Sequence, residues 1–74
     1  MTTDPQHIRM VEALLFAAAE PLDEASLHAR LPEDVDLAAA IEGVMAQYAD
    51  RGVNVVRVAG RWALRTAPDL KFLL

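Results

Sequence analysis

Cysteine is absent from this 74-residue chain, which excludes a disulfide scaffold, a thiol nucleophile, an iron–sulfur cluster and a cysteine-ligated zinc. The absence also suits a reducing compartment, and the cytoplasm is the expected location. Long hydrophobic runs are missing too. The longest wholly apolar stretch, Ala13 to Ala19, is seven residues, against the ~20 that span a bilayer, and no basic segment precedes it as a signal peptide would require. No membrane contact is expected. Glycine is sparse, and Gly43, Gly52 and Gly60 stand too far apart to form a phosphate-cradling loop. His7 and His28 are the only histidines, and neither has a second ligand at metal-binding spacing. Ser26, the sole serine, lacks the glycines of a nucleophile elbow. No catalytic residue, cofactor or metal is therefore expected.

Positive charge is nearly missing from the first two-thirds of the chain. Residues 1–50 hold two basic side chains, Arg9 and Arg30, and ten acidic ones, a net −8. Residues 51–74 hold five basic and one acidic, a net +4. The overall −4 thus conceals a molecule with two electrical halves.

The chain is rich in apolar residues, 54% against 24% charged, so it folds. Much of that apolar share is alanine, which adds helix propensity more than core volume. At this length one small domain is expected, burying only about 60% of its unfolded surface. Asp4-Pro5 is an acidic cap followed by proline at the first helical position, and Ile8, Val11, Leu15 and Ala18 repeat behind it at helical spacing. A first helix is predicted over about 5–19, ended by Glu20-Pro21 with Leu22 extended. Asp23 caps a short second helix, about 24–31, with Ala25, Leu27 and Leu31 as its apolar positions. After Pro32, Asp36 caps a third helix, about 37–50, whose stripe is Leu37, Ile41, Val44, Met45 and Tyr48. Gly52 then stands where a left-handed C-terminal residue is wanted.

The period then changes to that of strands, Val53–Val58 and Arg61–Thr66, separated by Ala59-Gly60. Ala-Gly is a poor pair for a type I′ turn. A type I turn with Gly60 in a left-handed bulge is preferred and places Val56 near Trp62; a two-residue loop would set Arg57 opposite Trp62 instead. One residue of slip exchanges the buried and exposed sets. Pro68-Asp69 read as the first turn of a further helix, with Leu70, Phe72, Leu73 and Leu74 cut off by the chain end, so a linker or helix toward a second domain is expected beyond.

Three helices followed by a two-stranded wing make a mainly α, α+β winged helix-turn-helix. A DNA reader of this type presents basic and amide side chains from its third helix. Here no Lys or Arg occurs between Leu31 and Asp50, while Glu33, Asp34, Asp36, Glu42 and Asp50 are acidic. The expected outward positions are Ala39, Glu42, Gly43, Ala46 and Gln47, a face that repels phosphate, so direct DNA contact by this helix is not expected. The wing differs. Arg57, Arg61 and Arg65, with Arg51 nearby, suit either phosphates or an acidic partner surface, and equally a charged face protecting a strand edge. Helix one carries a surplus apolar face, with Met10, Leu14 and Ala17 beside the core stripe and Phe16 on a third side. Met10, Leu14 and Phe16 are the expected protein interface.

The run Val11-Glu12-Ala13-Leu14-Leu15-Phe16-Ala17-Ala18-Ala19-Glu20-Pro21-Leu22, then Arg51-Gly52-Val53, then Val58-Ala59-Gly60-Arg61-Trp62-Ala63-Leu64-Arg65-Thr66-Ala67-Pro68, resembles the N-terminal winged-helix domain of bacterial segregation and condensation protein B. Arg61 stands where that family often has a glycine or polar residue, which adds charge to the wing tip. The resemblance implies a non-catalytic subunit of the bacterial condensin complex that forms a homodimer. It also implies binding to the kleisin subunit, segregation and condensation protein A, and action with the SMC ATPase in chromosome condensation and segregation. A DNA-binding regulator using its arginine-rich wing, and a small accessory domain of an enzyme, are the competing expectations.

Overall fold

Three aspartates open three helices. Asp4 accepts from the Gln6 backbone N–H at 2.8 Å, Asp23 from Ser26 at 2.7 Å and Asp36 from Ala39 at 3.2 Å, so each helix begins with an otherwise unpaired donor satisfied. The structure, a computed structural model describing residues 3–74, runs α1 (Pro5–Ala17), α2 (Glu24–Arg30), α3 (Leu37–Gln47), β1 (Val53–Val58), β2 (Arg61–Thr66) and a 3-10 turn, Pro68–Leu73.

The helices stop earlier than their apolar spacing predicts, and each stop has a local cause. Helix α1 ends at Ala17 because Ala18 is already extended, at φ −74° and ψ 130°, ahead of Glu20-Pro21. Helix α2 ends at Arg30, since Leu31 is extended and turns into the core. Helix α3 ends at Gln47 rather than near residue 50. The Tyr48 carbonyl there accepts from the Asn54 side-chain amide at 2.8 Å, a satisfied terminal acceptor that also ties the helix end to β1. Gly52 does not adopt the expected left-handed conformation; its carbonyl accepts from Ala67 N–H at 2.8 Å.

The hairpin strands lie where the sequence places them, but the preferred bulged register is not adopted. Arg57 pairs with Trp62 and Val58 with Arg61, leaving a two-residue loop. Ala59 at φ 51° and Gly60 at φ 78° both take left-handed conformations, those of a type I′ turn. Such a turn matches the right-handed twist of the strands, and that match outweighs the strain of an alanine at positive φ. Leu22 joins the other edge of β2 through reciprocal backbone bonds to Trp62, both 2.8 Å, an extension that no period in the sequence marks.

The core is aliphatic. Val11 and Leu15 of α1, Leu27 of α2, and Leu37, Ala40, Ile41 and Val44 of α3 meet Leu31, Val35 and Val55, and no polar side chain is buried among the described residues. Two expectations fail at α3. Met45, placed in the core stripe, is 42% exposed. Gly43, placed outward, faces α1, where an added Cβ would lie 2.5 Å from Ile8 Cδ1 and 2.8 Å from Ile8 Cγ1. Ala25 of α2 is likewise exposed rather than buried. The C-terminal turn leaves Phe72 and Leu74 largely exposed.

Gly43→Val lowers stability by about 1–3 kcal/mol through overpacking. Adding Ile8→Ala relieves the crowding, so urea unfolding of both single variants and the double variant shows favourable coupling rather than additivity. At the turn, Ala59→Asn removes positive-φ strain and raises stability by about 0.5–1 kcal/mol, read as a higher Tm in calorimetry.

Candidate interaction surfaces

Helix α1 has more apolar surface than the core uses. Phe16 is 82% exposed, whereas Met10 and Leu14 are half-buried and pack against the core cluster. The structure brings Met10 and Phe16 to one shallow concavity of ≈ 560 Å³, shared with Gln6, Arg9 and Tyr48. Leu14 opens onto a different concavity of ≈ 530 Å³, beside Pro21, Asp23 and Arg61. The three expected interface residues therefore form two adjoining patches on one helix.

A polar clip stands at the edge of the Phe16 concavity. The Tyr48 phenol of α3's C-cap donates to the Glu12 carboxylate of α1, and the Arg51 guanidinium lies 5.9 Å from the Tyr48 ring centroid. The bond to Glu12 is the main cause that pushes the Tyr48 phenol above its ordinary value of 10.0; desolvation and the carboxylate's charge add to it, and Arg51 opposes it. The pairing escaped sequence reading because its partners are 36 residues apart. Tyr48 registered only as a member of an apolar stripe.

The wing arginines do not form one patch. Strand alternation sets Arg61 and Arg65 on the face that carries Asn54, Val56 and Val58, with Arg65 opposite Asn54. Arg57 lies on the other face, beside Val55, and its guanidinium covers the Trp62 ring at 5.2 Å, a cation–π contact. Arg61 also acts on Asp23. That carboxyl is held below its ordinary value chiefly by the Ser26 backbone N–H, then by the Ser26 hydroxyl, with a smaller electrostatic contribution from Arg61.

The third surface is the groove between α3 and the wing, ≈ 610 Å³ in volume. In a winged helix that reads DNA this face carries basic and amide side chains. Here Ala38, Glu42 and Met45 are exposed along it, and Glu24 and Asp36 stand at its rim. Their spacing of i, i+4 and i+7 is legible in the sequence, although the apolar stripe puts Met45 in the core and the structure leaves it 42% exposed. Among the described residues no group of three or more metal-ligating side chains is assembled, and none of the helices is long and apolar enough to cross a membrane.

These surfaces sit on three helices and a hairpin whose sequence matches the family model of the segregation and condensation complex subunit ScpB over residues 9–74. The chain belongs to that family. It is 41% identical over 64 residues to segregation and condensation protein B of Desulforamulus reducens, an alignment covering 80% of this chain and 34% of that protein. A solved structure described as a conserved hypothetical protein from Chlorobium tepidum superposes with a TM-score of 0.74 at 25% identity, over 92% of this chain and 45% of the other. The chain thus spans about a third of the length of its curated ScpB relative. The matched segment includes all the residues of α1 from Arg9 onward, α2, α3 and the wing.

The Tyr48–Glu12 bond gives this ScpB-family domain an alkaline signature. A phenol with a raised folded pKa contributes stability that is full below the unfolded value and is lost as pH rises through the folded value. The stability difference between the unaltered chain and Tyr48→Phe is therefore constant at neutral pH and shrinks above about pH 10, as measured by urea unfolding across a pH series.

Proposed function

We propose that the domain is a non-catalytic dimerisation and protein-interaction unit of the cytoplasmic segregation and condensation machinery. It pairs with a second copy, contributes to gripping the kleisin subunit, and through it works with the SMC ATPase in chromosome condensation and segregation. The observation that carries this reading is the character of α3: its exposed face is Ala38, Glu42, Met45, Ala46 and Gln47, without one cation to place against phosphate. Membership of the ScpB family supports the same assignment.

The dimer is assigned to α1. Phe16 is the most exposed side chain on that helix among the large apolar ones, and burying such a residue contributes about 1.5–3 kcal/mol. Two copies meeting about a two-fold axis would bury it twice, with Met10 and Leu14 at the margins. That gain is set against the cost of association, so a concentration-dependent dimer is expected rather than an obligate one. The competing reading, a DNA-binding regulator, draws on Arg61 and Arg65 sharing one face of the wing.

Sedimentation velocity over a concentration series, with a labelled duplex followed in its own channel at low salt, separates the two. The expected result is a dimer that weakens on the order of 100-fold or more in Phe16→Glu, since both copies lose the contact, with the duplex sedimenting alone. Arg57→Glu, Arg61→Glu and Arg65→Glu leave that dimer intact. A monomer that carries the duplex, released by the same arginine changes, overturns the reading.

A further inference from the structure

We propose that the groove between α3 and the wing is a docking channel for a cationic amphipathic helix of a partner protein. The inference rests on the domain being a protein-interaction unit but not on α1 carrying the dimer.

Shape and chemistry specify the occupant. The floor is apolar: Ile41 lies beneath, Met45 is 42% exposed above it, and the half-buried Trp62 closes the wing side. Ala38, at the N-terminal end, is small enough to let another backbone approach closely. From Ala38 to Met45 the open stripe runs about 10 Å, two helical turns. The backbone groups of α3 are bonded within the helix, so this floor offers an incoming chain no main-chain partners. An extended segment lying on it would leave its own N–H and C=O groups unpaired, whereas a helix satisfies them internally and presents side chains at i, i+4 and i+7.

Charge specifies the flanks. Glu24, Asp36 and Glu42 line the groove against one arginine, Arg57, which keeps its charge as it lies over the Trp62 ring at 5.2 Å. Three carboxylates and one guanidinium, with His28 beside them, leave the lining acidic. No other Lys or Arg lines the groove. Complementary lysines or arginines beside an apolar stripe would therefore be drawn in and oriented, while an acidic helix or a phosphate backbone would be repelled.

The test uses the whole chain and three designed peptides of roughly four helical turns. The first carries leucines at i, i+4, i+7 and i+11 with flanking lysines. The second replaces the lysines with glutamates, and the third replaces the leucines with serines. Trp62 is the only tryptophan, so its fluorescence and its indole N–H resonance report on the groove directly. The expected result is that the lysine–leucine peptide alone shifts Trp62 and the amides of Ala38, Glu42 and Met45. Binding then weakens about tenfold or more in Glu42→Lys, less in Glu42→Gln, and also in Met45→Ser. All three substitutions are at exposed positions, and circular dichroism checks that each variant folds.

Equal binding of the lysine and glutamate peptides, indifference to Glu42→Lys, or shifts confined to α1 overturn the proposal. So does a Trp62 signal that moves with protein concentration when no peptide is present, which would put a second copy in the groove, or one that responds to a DNA duplex. Sedimentation without peptide reads the α1 dimer separately. A dimer with a silent groove defeats only this inference, and a monomer that binds the peptide through the groove defeats only the α1 assignment.

Discussion

The close crossing of α1 over α3 is the constraint on which the other surfaces depend. It is possible because Gly43 has no Cβ, and Ile8 occupies the space where one would stand. With the helices this near, Val11 and Leu15 reach Ala40 and Val44 without large rings to fill the gap, which is how a chain with few aromatics still forms a dry core. The same crossing brings Glu12 to Tyr48. It also decides which part of α1 remains outside: Val11 and Leu15 are covered, while Phe16, one turn beyond Glu12, stays exposed beside the Tyr48 end of α3.

The hairpin is positioned by a second constraint, its register. Because the two-residue turn sets Arg57 opposite Trp62, the inward strand face carries Val55, Leu64 and Trp62 to the helices. Trp62 then serves twice, as a wall of the α3 groove and as the backbone partner of Leu22. Its indole N–H is buried with no hydrogen-bond partner among the described residues. The bulged register would have exchanged the faces and set Val56 where Arg57 now stacks. Two arginines at the wing's outer face and one over Trp62 are thus consequences of turn geometry, not of arginine number.

Electrostatic segregation along the chain becomes segregation in space only in part. The acidic half forms the helices and lines the α3 groove, but Arg57 crosses to that side while Arg61 approaches Asp23 at the foot of α2. The result is a recognition helix without cations, in a fold that elsewhere uses that helix on DNA. A winged helix keeps its architecture when its outward side chains change, because the core positions and the outward positions are different residues. Function in this ScpB-family chain therefore has to be argued from the outward residues.

Those outward residues mark the division between what was readable and what was not. Helix starts were legible because a cap is a local event: Asp4, Asp23 and Asp36 each bond a backbone N–H two or three residues on. Strand limits were legible because period-two alternation is local too, and the order of elements followed from both, as did the absence of cations from α3. Tertiary structure decided the rest. Gly43 faces inward and Met45 outward because the helix partner, not the stripe itself, selects which side of α3 is covered. The helices ended early where Asn54 and the extended Leu31 and Ala18 drew the chain elsewhere, contacts that propensity does not encode. The turn took the conformation disfavoured by its alanine because strand twist and burial of Trp62 act over the whole hairpin, whereas the alanine's strain acts at one residue. Local chemistry determined where each element begins; contacts between distant residues determined where it stops and which of its faces is left for a partner.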